Sequence, residues 1–126
     1  MELTDSHCHL DVADFDADRQ AVLQRARHNG VGSIVVPGID AAGWERLWQL
    51  CCSEPGLYPA FGLHPVFLHQ HTQQDLSALQ SLLQRQPPVA VGEIGLDFHV
   101  AGLDRAAQQT LFEAQLAFAR DAGLPV

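Results

Sequence analysis

Short apolar runs alternate along the chain with longer segments in which apolar residues recur at helical spacing. The runs Leu3–Leu10, Ser33–Pro37, Leu57–Gly62 and Val89–Ile94 predict four strands, and Leu124-Pro125-Val126 predicts the start of a fifth. The third is the weakest of them, because Pro59 removes a backbone donor. Between them lie four helical patterns. The first runs from Asp16 to His28, with acids at its start, Arg25, Arg27 and His28 at its end, and Asn29-Gly30 as a stop. The second opens after Asp40 and places Trp44, Leu47, Trp48 and Cys51 on one face. The third opens at Thr72, with Asp75 completing a variant of the capping box and Leu76, Leu79 and Leu83 forming the stripe. The fourth carries Ala107, Leu111, Ala114 and Phe118, with Gly123 just past its end. Strand then helix, repeated four times, predicts an α/β fold with a parallel sheet covered by helices. Residues 1–126 read as one domain or part of one.

Composition narrows the function classes. The net charge is −8, from 15 acids against seven Arg and no Lys. Grip on nucleic acid by a basic stripe is therefore excluded, and phosphate chemistry would need metal or backbone N–H groups. Seven His is a high count beside one Met and one Tyr, and His is the commonest metal ligand. The three Cys include the adjacent pair Cys51-Cys52 and no C-x-x-C, so they read as reduced thiols. No apolar run approaches the ~18 residues of a membrane span. The first five residues carry acids and no Arg or Lys, so a cytoplasmic location is expected.

Three clusters carry candidate chemistry. In Asp5-Ser6-His7-Cys8-His9-Leu10-Asp11, strand alternation puts His7 and His9 on one face and Cys8 on the other, towards the helices. The two imidazoles could share a divalent ion, with Asp5 or Asp11 in support, or could simply be solvated. In Val89-Ala90-Val91-Gly92-Glu93-Ile94-Gly95-Leu96-Asp97, alternation puts Glu93 on the face of Val89 and Val91, with Asp97 in phase. A carboxylate ending a buried strand is costly unless paired or metal-bound. Gly92 and Gly95 are placed to allow close approach of another chain or ligand. In Gly62-Leu63-His64-Pro65, the proline holds His64 extended, either facing substrate or as a turn residue. His69 and His71 read as solvated, His28 as a helix-dipole partner, and His99 as a possible phosphate contact. All three clusters fall where a strand hands over to its helix, the active-site edge of parallel α/β barrels.

On Asp5-Ser6-His7-Cys8-His9, Gly62-Leu63-His64-Pro65 and Gly92-Glu93-Ile94-Gly95-Leu96-Asp97, the sequence resembles the TatD family of metal-dependent deoxyribonucleases, which are amidohydrolase-like barrels. The order and spacing agree over essentially the whole chain. The resemblance implies a TIM-type (β/α)₈ barrel with one or two divalent ions, Mg, Mn or Zn. It implies His7 and His9 as ligands from the first strand and Glu93 as a ligand, bridging where two ions bind. It also implies catalytic roles for Glu93 and His64 and a supporting role for Asp97, while Asp5 and His99 are read from their own places in the chain as supporting or substrate-contact residues. The implied reaction is hydrolysis of phosphodiester bonds in DNA, with the ions activating water and offsetting the phosphate charge.

A complete barrel of this kind takes about 250 residues. The chain holds about four of the eight units, and the family's further ligands, two His and an Asp on strands 5, 6 and 8, have no counterpart here. The expectation is an N-terminal half with part of the metal site, weak or inactive alone, and bare sheet edges that invite self-association. Other amidohydrolase-like hydrolases often place a carboxylated Lys on strand 4, and Lys is absent here. An inert metal-binding fragment is the remaining alternative.

Overall fold

The computed structural model describes residues 2–126. Four strands, β1 (Leu3–Asp5), β2 (Val31–Pro37), β3 (Leu57–Phe61) and β4 (Ala90–Val91), pair in that order, and every pairing is parallel. Helices α1 (Arg19–His28), α2 (Trp44–Ser53), α3 (Gln73–Arg85) and α4 (Arg105–Ala122) each follow a strand. Short 3₁₀ turns cover Ala13–Phe15 and Pro65–Gln70. This is the predicted run of four β/α units, a half-barrel of TIM type whose inner face is open. Val91 N–H donates to Pro125 C=O at 2.9 Å, so the last residues already lie beside β4, where a fifth strand belongs.

The core lies between sheet and helices. Val36, Phe61 and Val91 from the strands meet Leu23, Leu47, Leu79 and Leu111 from the helices, all buried. Each such side chain contributes roughly 1.5–3 kcal/mol of burial. Trp44 packs edge-on to Phe61 and donates its indole N–H to Gly62 C=O at 3.1 Å, tying α2 to the end of β3. Cys8 packs against this core, on the side expected from alternation. The Thr72–Asp75 capping box is complete in both directions. Gly123 takes the left-handed conformation (φ +67°) that ends α4.

Several boundaries differ from expectation, each for a local reason. β1 stops at Asp5 instead of Leu10, because the Asp5 carboxylate accepts the His7 N–H at 3.1 Å and takes it out of the ladder. Cys8 N–H still reaches Val35 C=O at 3.1 Å, so the segment stays beside β2. α1 begins at Arg19 instead of Asp16, since the preceding residues form the 3₁₀ turn that Arg19 binds through Leu10 C=O, Val12 C=O and Asp16. β4 ends at Val91, short of Ile94. β3 is a central strand despite Pro59, whose carbonyl accepts from Val89 N–H beside a β4 only two residues long. The fully buried residues of α4 are Gln108, Leu111, Gln115 and Ala119, so the predicted stripe supplies Leu111 and, partly buried against the core, Phe118.

The open inner face of the sheet is a trough of about 800 Å³, lined by Val35, Ala60, Val89 and Phe112 among others. His7 and Glu93 stand on its wall. Among the described residues no helix is long and apolar enough to cross a membrane.

Candidate metal centre

The C-terminal ends of the strands bring three of the candidate residues to one point. His7 Nε2 and His9 Nε2 are 3.1 Å apart, and each is 3.2 Å from Glu93 Oε2. Atoms of His7, His9 and Glu93 form the one His/Cys/Asp/Glu group with metal-holding spacing among the described residues. Neighbouring ligands on a divalent ion at 2.0–2.1 Å are separated by about 2.9–3.3 Å. The triangle has that size, and its chemistry of two neutral imidazoles and one carboxylate suits Zn, Mn or Mg.

The remaining polar atoms of His9 and Glu93 have partners outside the triangle. His9 Nδ1 lies 2.9 Å from Pro37 C=O, an acceptor only, so Nδ1 carries the proton and Nε2 is left bare. The outer partner of the His9 ring is thus the carbonyl at the end of β2 and neither Asp5 nor Asp11. Asp5 acts on the His7 backbone, at 3.1 Å, and not on an imidazole.

Glu93 is positioned from two strands at once. The Gly92–Glu93 peptide is cis. Gly92 N–H donates to Phe61 C=O at 3.0 Å, and Glu93 N–H donates to Gly38 C=O at 2.9 Å, beyond the end of β2. Close approach at this point depends on Gly62. A Cβ there would lie 2.7 Å from Glu93 O and Gly92 C and 2.9 Å from Glu93 N. At Gly92 and Gly95 no other part of the chain makes a close approach, since a Cβ at Gly92 would make ordinary contact with Ala60 and one at Gly95 would meet open space.

His64 joins from the loop after β3. Its Nδ1 accepts from Val66 N–H at 3.1 Å, so the neutral ring carries its proton on Nε2, which lies 3.0 Å from Glu93 Oε1. It thereby engages the carboxylate oxygen that does not face His7 and His9. His71, expected to be solvated, is half-buried, and its Nε2 lies 2.8 Å from His64 C=O. Asp97 and His99 lie apart from the triangle. Asp97 Oδ1 accepts from His99 N–H at 2.9 Å, shaping the loop before α4, and His99 is exposed.

Two residues that the sequence reading passed over hold these loops. Gln115, buried in α4, accepts from Leu63 N–H at 2.8 Å and donates to Leu63 C=O at 3.1 Å. Gln108, one face-repeat earlier, does the same to Asp97 at 2.8 and 2.9 Å. Their signal in the sequence is two amides seven residues apart, flanking Leu111 on the buried face of a helix. Asp11 is also buried, with Oδ1 unpartnered among the described residues, and burial raises its carboxyl above the usual range.

Known proteins carry the same arrangement of chain. The metal-dependent hydrolase YjjV of Escherichia coli (strain K12), described as uncharacterized, is 44% identical over 124 residues, covering 97% of this chain and 48% of that protein. The 3'-5' ssDNA/RNA exonuclease TatD of Pantoea vagans (strain C9-1) is 33% identical over 118 residues, covering 93% of this chain and 45% of that one. The crystal structure of YjjV superposes with a TM-score of 0.94 at 43% identity, over 98% of this chain and 49% of its own. A TatD family hydrolase from Entamoeba histolytica shares the fold, with a TM-score of 0.83 at 20% identity, over 96% of this chain and 46% of its own. The chain thus spans about half the length of the curated relatives it matches. A family model described as TatD related DNase matches residues 4–126, and the chain belongs to that family.

Proposed function

We propose that this chain supplies half of a barrel and part of the metal centre of a divalent-metal-dependent phosphodiesterase acting on DNA or another nucleic acid. One observation carries the reading: His7 Nε2, His9 Nε2 and Glu93 Oε2 converge within 3.2 Å while His9 Nδ1 and Glu93 Oε1 are engaged elsewhere. His7, His9 and Glu93 are the ligands, and His64 orients Glu93. A bound divalent ion supplies water of lowered pKa and positive charge against the scissile phosphate. That charge lets a protein of net charge −8 accept an anionic substrate. Three side-chain ligands leave coordination positions open, which suits a catalytic site and leaves room for ligands from further β/α units.

Isothermal titration of Mn²⁺ into the purified chain tests the ligand set. Micromolar binding that disappears in His7→Ala and in Glu93→Ala supports it, and absence of binding at millimolar Mn²⁺ overturns it. The substrate class is tested on a protein carrying the whole barrel, by Mn²⁺-dependent turnover of single-stranded DNA against a panel of carboxylic esters and lactones. Turnover confined to the esters or lactones would replace the phosphodiesterase reading.

A further inference from the structure

The loop that leaves Glu93 exposes Leu96, Phe98 and Val100, at 45%, 45% and 36% of their surfaces. The other large exposed apolar residues among those described, Leu3, Tyr58, Val89 and Val126, belong to strands or lie beside them. The guanidinium carbon of Arg105, in the first turn of α4, sits 4.9 Å from the centroid of the Phe98 ring. Arg105, like Arg25 and Arg85, has no carboxylate partner among the described residues, whereas Arg19, Arg27, Arg46 and Arg120 each have one. The Arg105 charge is therefore open to an anionic ligand beside a solvent-facing aromatic ring. The platform is also rigidly mounted, since Gln108 of the same helix grips the backbone of Asp97, the residue before Phe98, through both its N–H and its C=O.

From these observations, and resting on the phosphodiesterase reading above, we propose that Phe98 and Arg105 form a stacking platform for an unpaired nucleobase of the strand held at the metal centre. Every base presents a π-face to an aromatic ring, and a guanidinium adds cation–π attraction and a counter-charge for phosphate. Phe98 is five residue steps beyond Glu93, so their Cα atoms lie no more than about 18 Å apart. That reach is a few nucleotides of an extended strand. Bases inside a duplex keep their π-faces covered, so the platform favours single strands or frayed ends.

The test compares two hydrolysis-resistant phosphorothioate pentamers, one of thymidine and one abasic, by fluorescence anisotropy with the chain in Mn²⁺. They share their phosphates and differ in their bases. The expected result is tighter binding of the thymidine pentamer by roughly 5- to 100-fold, the range that stacking of one base supplies. The preference should vanish in Phe98→Ala, persist in Phe98→Trp and shrink in Arg105→Ala. Phe98 is solvent-facing, so the variants should keep the wild-type circular dichroism. Equal affinity for both pentamers, no binding of either, or a preference that survives Phe98→Ala overturns the proposal. So does self-association of the chain that Phe98→Ala relieves, since the patch would then be an interface between copies. A parallel Mn²⁺ titration keeps the two readings separable: lost metal binding with retained base preference would sink the metal centre alone.

Discussion

His64 and Glu93 are paired through Nε2 and Oε1 at 3.0 Å, while the second polar atom of each faces other groups. His64 Nδ1 is occupied by Val66 N–H, so Nε2 faces Glu93 Oε1 at 3.0 Å, and Glu93 Oε2 is left to His7 and His9. On the proposed reading this makes His64 an orienting residue for a metal ligand. Outer partners of metal ligands are worth about 10- to 100-fold in metal affinity. His64→Ala should therefore weaken Mn²⁺ binding by a factor in that range without abolishing it. Glu93→Gln removes the charge as well as a ligand oxygen and should weaken it further. Titration calorimetry reads both, and unchanged affinity in His64→Ala would remove the orienting role.

The two Leu63 hydrogen bonds from Gln115 cross from α4 to the loop that presents His64. Leu63 is fully buried, so without Gln115 its N–H and C=O lose their partner where water does not reach. Gln115→Leu keeps the apolar volume and deletes only the polar clasp. Each orphaned group costs about 1–3 kcal/mol. Urea denaturation should show the loss as a lower midpoint with an unchanged slope. An unaltered midpoint would mean that the loop finds other partners.

The legibility of this chain in its sequence depended on how local the physics was. The Thr72–Asp75 capping box, the Gly123 stop and the Trp44–Leu47 face of α2 rest on neighbours within a turn or two, and all three stand as expected. The His7–His9 pair was readable because the two are one residue apart on a segment that stays beside β2 through Cys8, although β1 itself ends at Asp5. The convergence of Glu93 on them was an extrapolation from the strand ends, and it holds. What stayed hidden were contacts whose partners lie far apart in the chain. Pro37 C=O on His9 spans 28 residues and Gln115 on Leu63 spans 52, and neither a carbonyl nor a buried amide leaves a pattern in one-dimensional hydropathy. Leu111 and Phe118 of the predicted α4 stripe meet the core, but the stripe missed Gln108 and Gln115 for the same reason, since both look solvent-facing until their backbone partners are known.

Cys51 gives a pH-dependent signature distant from strand ends. Its thiol is pushed up to about 12, first by burial, then by the Asp11 charge and the neighbouring Cys52. The reference thiol titrates near 9.0. Between those values the unfolded chain releases the proton while the folded chain keeps it, so unfolding gains free energy as pH rises. Stability from this group is complete below pH 9 and falls through the window up to 12. Cys51→Ala should flatten that part of the alkaline limb in thermal melts recorded across the range. In the native protein iodoacetamide should label exposed Cys52 well before Cys51, and mass spectrometry of the peptides would show equal labelling if the burial were absent.

Gly62 is the point where stability and the metal centre are coupled through bare backbone. A methyl group there would sit 2.7–2.9 Å from backbone atoms of Gly92 and Glu93, and backbone cannot swing aside as a flexible side chain can. Relief requires the 92–93 segment to withdraw from β3, which stretches the Gly92–Phe61 and Glu93–Gly38 hydrogen bonds and carries the Glu93 carboxylate away from His7 and His9. Overpacking of this kind costs about 1–3 kcal/mol. Gly62→Ala should thus lower the urea midpoint and weaken Mn²⁺ binding together, whereas Gly95→Ala, with open space around its added methyl but φ of +150°, should cost stability without moving Glu93. Metal affinity retained in Gly62→Ala would mean that the carboxylate's position does not depend on this backbone contact.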